Sequence, residues 1–236
     1  MNDRPGVTLV ALDFDGTIAP IRDDPAAVEI DPMAAEMLNE LGEAPGIVVA
    51  LASGRDVDDL ASRIDGVAAY LIGAHGLDIR GPYGRSIRES PPLSARVPDD
   101  LRQAATANGF RFEQKRHGVT LHWRGLPVGG NDPIIESFRS WARQHDLKLI
   151  EGRSVVEARI PGGGKLEALR WVMSAAAATR LVYAGDDLTD FPALQFAAQN
   201  GIGLFIDNGE QQPPPGVTIV RSRDELMDKI RQAVLL

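Results

Sequence analysis

Val7-Thr8-Leu9-Val10-Ala11-Leu12-Asp13-Phe14-Asp15-Gly16-Thr17 is an apolar run that ends in two aspartates and a glycine. Its first six residues carry no charge and suit a strand buried on both faces, the kind that parallel sheets contain. At the exit, alternation along an extended chain turns Asp13 and Asp15 toward one side, while Phe14 points back into the core. Gly16 then lets the chain turn. This Asp-x-Asp-Gly has two readings. In one it is a local turn, where Asp and Gly serve the backbone. In the other it is a reactive pair: one carboxylate attacks phosphorus, the other protonates the departing oxygen, and both lie close to a magnesium ion. A short motif decides nothing alone, so the remaining chain has to supply matching chemistry.

Working outward, the first third alternates apolar strands with helices: Val7 to Leu12, a helix near Met33 to Leu41, Ile47 to Ala52, a helix near Val57 to Ile64, then Tyr70 to Ile72. Such alternation predicts a parallel sheet covered on both faces. The final third resumes it with helices over Leu166 to Ala177, Leu188 to Ala198 and Asp224 to Val234, and with strands at Leu181 to Ala184, Ile202 to Ile206 and Val217 to Val220. Between them the rhythm becomes one helix and two strands, twice over. Asp99 to Asn108 reads as a helix stopped by Gly109, followed by a hairpin of Phe110 to Lys115 and Val119 to Arg124 around His117-Gly118. Asp132-Pro133 opens a second helix with apolar residues at Ile134, Ile135, Phe138, Trp141 and Ala142, and a second hairpin joins Leu147 to Ile150 with Val155 to Ile160. The fold class expected is therefore α/β: a doubly wound, Rossmann-like parallel-sheet core formed by residues 1–92 and 162–236. Residues 93–161 form an inserted α/β domain of αββαββ order.

Open parallel sheets bind ligands beyond the carboxyl ends of their strands, and chemistry recurs there in this chain. After Ile47 to Ala52 comes Ser53-Gly54-Arg55, a hydroxyl and free amides at a helix start, suited to a phosphate oxygen or simply to an N-cap. Gly162-Gly163-Gly164-Lys165 places an ammonium where it can meet phosphate and carboxylate, or solvent. After Leu181 to Ala184 comes Gly185-Asp186-Asp187-Leu188-Thr189-Asp190, with three carboxylates where a cap needs one. Magnesium (Mg2+) takes one or two protein carboxylates beside substrate phosphate. Asp13 and Asp186 suit that role, with the backbone carbonyl of Asp15 as a further ligand. Asp190 suits a metal-bound water or Lys165, and Asp187, whose part is harder to assign, completes the expected metal set of Asp13, Asp15, Asp186, Asp187 and Asp190.

Composition narrows the function classes. The 236 residues are 44% hydrophobic, enough for one large domain or two small ones. A formal charge of −8 disfavours nucleic acid and anionic membrane as partners, so an anionic substrate needs local cations or a metal. With no cysteine there is neither a disulfide framework nor a thiolate metal site. Met1 to Gly6 do not resemble a secretory leader and no apolar stretch approaches spanning length, so a soluble, cytoplasmic protein is expected. Pro213-Pro214-Pro215 reads as a stiff surface connection.

In their order and spacing, Asp-Phe-Asp-Gly-Thr, Ser-Gly-Arg, Lys165 and Gly-Asp-Asp-x-x-Asp resemble the four motifs of the haloacid dehalogenase superfamily of phosphohydrolases. The resemblance implies Asp13 as nucleophile, Asp15 as general acid and base, Ser53 and Lys165 as phosphate holders, and Asp186 as metal ligand, with the insertion as a cap. An acid at position 15 rather than a lysine favours full hydrolysis of a phosphomonoester. Within that superfamily, Leu12 to Ile21, Gly73-Ala74-His75-Gly76, Glu113-x-Lys115, Leu121-His122-Trp123-Arg124 and Gly185 to Asp190 resemble the trehalose-6-phosphate phosphatase family. That likeness implies sugar contacts from Glu113, Lys115, Arg124 and Glu157, and Gly54, Arg55, His75 and His122 complete the expected substrate-binding set. Alternation places Glu113 with Lys115, and His122 with Arg124, on single faces of two strands, which would equally describe a solvated sheet. Phe191-Pro192 after Asp190, Asp78 where the family commonly has Glu, and the loose Gly162 to Gly164 depart from the family pattern. The expected substrate is a small sugar phosphate, with trehalose 6-phosphate leading and sucrose phosphate or a glycosyl phosphoglycerate as rivals. A non-catalytic sugar-phosphate sensor is the rival of another class. No obligate protein partner is expected.

Overall fold

The computed structural model describes residues 6–22, 24–64, 66–152, 154–209 and 211–234. Its elements in chain order are β1 (Val7–Asp13), α1 (Pro32–Glu43), β2 (Ile47–Ala52), α2 (Val57–Ser62), β3 (Ala69–Gly73), β4 (Asp78–Arg80) and β5 (Ser86–Arg88). Then come α3 (Asp99–Ala107), β6 (Arg111–Gln114), β7 (Gly118–His122), α4 (Pro133–Gln144), β8 (Lys148–Gly152) and β9 (Val155–Arg159). The chain closes with α5 (Lys165–Ala175), β10 (Ala178–Gly185), α6 (Phe191–Asn200), β11 (Gly201–Ile206), β12 (Thr218–Val220) and α7 (Arg223–Val234). Two compact units result, one running up to Glu89 and resuming at Gly163, the other spanning Ser90–Gly162.

The first unit is an eight-stranded sheet in the order β12-β11-β10-β1-β2-β3-β4-β5. Strands β12 to β3 run parallel, and β4 and β5 add antiparallel at one edge. That mixed edge is not in the sequence reading: three-residue strands around Gly81-Pro82-Tyr83-Gly84 are too short to leave a period. Alternation splits β1 cleanly. Val10 and Leu12 join Met37, Leu38, Leu60, Leu226 and Ile230 from α1, α2 and α7 on one face, while Leu9 and Ala11 join Leu169, Val172, Leu194 and Ala197 from α5 and α6 on the other. With β1 central and buried, its carboxyl end is fixed from both sides. Helix α1 starts where Asp31 accepts from the Met33 amide at 2.9 Å with Pro32 in the first turn.

The second unit is a four-stranded antiparallel sheet in the order β6-β7-β9-β8, with α3 before the first strand pair and α4 between the two pairs in sequence. One sheet face carries Val119, Leu121, Val156 and Ala158 against Ala105 of α3 and Ile135, Phe138, Trp141 and Ala142 of α4. The other face is polar, because β-alternation sends Glu113, Thr120, His122 and Glu157 opposite to that core. Asp132 caps α4 by accepting from the Ile134 amide at 2.8 Å. No helix among the described residues is long and apolar enough to cross a membrane.

Candidate active site

Strand β1 ends at Asp13, and the chain folds back at once: the Gly16 amide donates to Ala19 O at 2.8 Å and the Ala19 amide to Phe14 O at 2.9 Å. Phe14 is buried in the core, as alternation requires. Gly16 has φ +84°, and a Cβ there would sit 2.0 Å from Asp186 Oδ2. Only glycine lets this turn lie against the second acidic segment. Thr17, buried, donates its hydroxyl to Asp13 Oδ2 at 3.3 Å.

Lys165 opens α5 and is buried. Its Nζ donates to Asp13 Oδ1 at 2.5 Å and to Asp190 Oδ1 at 2.6 Å, joining groups separated by 152 and 25 positions. Oxygens of Asp13, Asp186 and Asp190, all buried, lie within 4.8 Å of one another. Three carboxylates around one ammonium leave an excess of negative charge. Burial pushes the Asp13 carboxyl well above its ordinary range; Asp190 and Asp186 add to the push and Lys165 opposes it. Asp186 is pushed up to about 7, by burial first and by Asp190 next. Burial would discharge Lys165, but Asp13 and Asp190 outweigh it and hold the ammonium charged. A divalent cation would relieve this excess, and an all-oxygen donor set is what magnesium takes.

Asp15 sits differently. Arg55 Nε donates to its Oδ2 at 2.8 Å and Arg55 Nη2 to its Oδ1 at 2.6 Å, a bidentate fork. Arg55 is itself anchored by Nη1 to Asp59 Oδ2 at 2.8 Å and lies over the Phe14 ring, 5.6 Å from its centroid. Ser53, buried after β2, donates its hydroxyl to Asp15 Oδ2 at 3.4 Å and accepts from the Arg55 amide at 3.1 Å. The Ser53 to Arg55 segment is stapled to the loop after β3: the His75 amide donates to Ser53 O at 2.9 Å and the Ala74 amide to Arg55 O at 2.7 Å. Ala74 and His75 take φ of +47° and +54°, an uncommon conformation for side chains with a Cβ. A Cβ on Gly54 would meet His75 Nε2 at 2.5 Å, so the imidazole packs on the bare Gly54 backbone.

The expected residues thus separate by place. Asp13, Asp15, Ser53, Gly54, Arg55, His75, Lys165, Asp186 and Asp190 gather at the carboxyl ends of β1, β2, β3 and β10. Asp187 does not join the acidic cluster. It is exposed, and its Oδ1 accepts from the Leu188 amide at 2.7 Å as the N-cap of a 3-10 turn over Leu188–Asp190. That cap delays α6 to Phe191, three residues later than the sequence suggests, with Pro192 in its first turn. Asp15 offers no carboxylate oxygen to the cluster either, since both are engaged by Arg55.

In the inserted unit, register aligns Glu113 with Thr120 and Thr120 with Glu157 in one row across β6, β7 and β9. Lys115 Nζ donates to Glu157 Oε2 at 2.6 Å, Thr120 Oγ1 to the same oxygen at 3.3 Å, and His122 Nε2 to Glu113 Oε2 at 2.8 Å. The His122 hydrogen bond, opposed by burial and helped by Lys115, holds Glu113 below the usual carboxylate range. Arg124 departs from the expected alternation. Strand β7 ends at His122, and the chain turns at Trp123, whose carbonyl accepts from the Leu126 amide at 3.0 Å; Arg124 is exposed on that turn.

Sequence reading placed Thr17 in the first motif without a role, and missed Asp59 and Tyr183. Asp59 follows a common helix pattern and leaves no trace. Tyr183 did leave one: a phenol in the aliphatic run Leu181 to Ala184 needs a buried partner. Its hydroxyl donates to Asp190 Oδ1 at 2.5 Å.

The profile of the Trehalose-phosphatase family matches residues 11–210. A trehalose-phosphate phosphatase of Mycobacterium tuberculosis (strain H37Rv) is 30% identical over 219 residues, covering 86% of this chain and 55% of its own. The chain thus spans about half the length of the curated relatives it matches. Among solved structures, a trehalose-6-phosphate phosphatase related protein superimposes with a TM-score of 0.75 at 22% identity, covering 96% of this chain and 98% of its own. A haloacid dehalogenase-like hydrolase of Bacteroides thetaiotaomicron gives 0.68 at 18% identity, over 96% and 99%. These likenesses fix an α/β haloacid dehalogenase-like fold. On a profile match running from the middle of β1 to the segment beyond β11, the chain belongs to the Trehalose-phosphatase family.

Proposed function

We propose that the protein hydrolyses trehalose 6-phosphate to trehalose and phosphate through an aspartyl-phosphate on Asp13. The observation that carries the chemistry is the buried bridge from Lys165 to both Asp13 and Asp190. It holds a carboxylate oxygen in place beside further acidic groups at a strand end. An Asp13 oxygen attacks phosphorus and the P–O bond to the sugar breaks. Asp15 gives the leaving oxygen its proton, then takes one from the water that attacks the phosphoenzyme, so Asp13 and phosphate are released. Since Arg55 engages both Asp15 oxygens, this carboxyl has to turn away from the guanidinium to transfer a proton. Ser53, the freed amides near Gly54 and Lys165 hold phosphate oxygens. Asp13 and Asp186, with the Asp15 carbonyl, would hold magnesium, which supplies charge stabilisation to the transferring phosphoryl group.

The substrate assignment rests on family membership and on the polar face of the inserted sheet. Lys115, Glu157, Glu113 and His122 form two ion-pair or hydrogen-bond couples there, a donor and acceptor set suited to sugar hydroxyls. Arg124, on the turn after β7, is proposed as a further sugar contact, and His75 as a contact near the phosphate loop. Glu113→Ala and Lys115→Ala test this reading. Each is expected to lower kcat/KM for the disaccharide phosphate by about 10- to 100-fold, the loss when buried polar partners go unpaired, with p-nitrophenyl phosphate changed less than about threefold. Equal losses on both substrates would remove the sugar-recognition role.

A further inference from the structure

Asp190 Oδ1 accepts two hydrogen bonds, from Lys165 Nζ at 2.6 Å and from Tyr183 Oη at 2.5 Å. Its other oxygen, Oδ2, accepts from the Asp187 amide at 3.2 Å. All three residues that shape this corner, Tyr183, Asp190 and Lys165, are buried. Tyr183 lies in mid-β10 between Ala11 of β1 and Gly203 of β11. Its ring is packed in the core shared with α5 and α6. A ring fixed by that packing presents its hydroxyl at one place. The oxygen that orients Lys165 is therefore located by a group with no freedom of its own.

We propose that Tyr183 is a positioning residue for the phosphatase reaction: its hydroxyl fixes Asp190, Asp190 fixes Lys165, and Lys165 holds Asp13 in line for attack. This rests on the reading of Asp13 as nucleophile. Two consequences follow from the geometry. First, Asp190 Oδ1 accepts from both Tyr183 and Lys165, so this oxygen serves to orient Lys165. Second, Tyr183 touches neither phosphate nor sugar, so its loss acts on the rate of the chemical step. Attack geometry tolerates little displacement, because a loosened ammonium lets the nucleophilic oxygen rotate.

The test is Tyr183→Phe, which keeps the ring and deletes the donor. We expect kcat on trehalose 6-phosphate to fall roughly tenfold, the size of one hydrogen bond to a charged group, with KM changed less than about twofold. Magnesium affinity of the protein, read by calorimetry without substrate, should stay within about threefold. In an Asp190→Asn background the same change should cost less than about twofold further, since the path is already cut. Asp190→Asn alone should lower kcat with little change in KM, and it carries the test if Tyr183→Phe does not fold. An unaltered kcat at 25 °C with only a lower melting temperature would leave Tyr183 a structural residue and overturn the proposal. So would losses that multiply fully in the double variant. A wild-type protein inactive on every phosphomonoester would remove the functional reading and this proposal together; an active wild type with an unaffected Tyr183→Phe removes this proposal alone.

Discussion

Asp13→Asn is expected to lower kcat by on the order of a thousandfold or more while leaving the fold intact, because an amide cannot form the acyl phosphate. The substitution is nearly isosteric: its carbonyl oxygen can still accept from Lys165, which now donates to Oδ1 at 2.5 Å, while its Nδ2 can donate to Thr17 Oγ1, which now lies 3.3 Å from Oδ2. It also removes one negative charge from a cluster in which burial first, and neighbouring carboxylates next, push Asp13 and Asp186 up. The melting temperature should therefore hold or rise. Loss of activity with retained stability separates a nucleophile from a structural aspartate. Near-normal turnover in Asp13→Asn would reject the covalent route.

Lys165→Met is expected to damage both stability and rate. Asp13 and Asp190 meet at its ammonium, from β1 and from the segment after β10. Removing one member of a buried ion-paired set leaves uncompensated charge and costs about 3–5 kcal/mol. Urea denaturation should show that loss as a lower midpoint at unchanged slope. Turnover should fall by roughly a hundredfold or more even under conditions where the variant is folded, since phosphate and nucleophile both lose their cation. An unchanged urea midpoint would mean that the bridge carries no stability.

The sequence carried the core of this account where signals are local. Val7 to Leu12 is uncharged and, Thr8 apart, apolar because β1 is buried on both faces, and Asp13 stands out at its end for the same reason. The four motif segments were readable because parallel strands deliver their carboxyl ends to one edge. What the sequence did not carry is set by pairings across distance. That Lys115 would pair with Glu157 depends on the β7–β9 register, which aligns Thr120 with Glu157 and has no local signature. Asp187 stood among the expected metal residues because composition cannot distinguish a cap from a ligand; in the structure its Oδ1 accepts from the Leu188 amide as an N-cap. Arg124 stands on a turn because β7 stops at His122, two residues earlier than the alternation suggests. The Arg55 fork on Asp15 also lay beyond reading, since it joins positions 40 apart.

Phosphate release from a panel of trehalose 6-phosphate, sucrose phosphate, glucosyl phosphoglycerate and glucose 6-phosphate, with and without magnesium, tests the central claim most directly. The account predicts magnesium-dependent release with kcat/KM for trehalose 6-phosphate at least about tenfold above every other member, a preference that a few sugar hydrogen bonds can supply. A higher kcat/KM on another sugar phosphate, or no release from any of them, would contradict it.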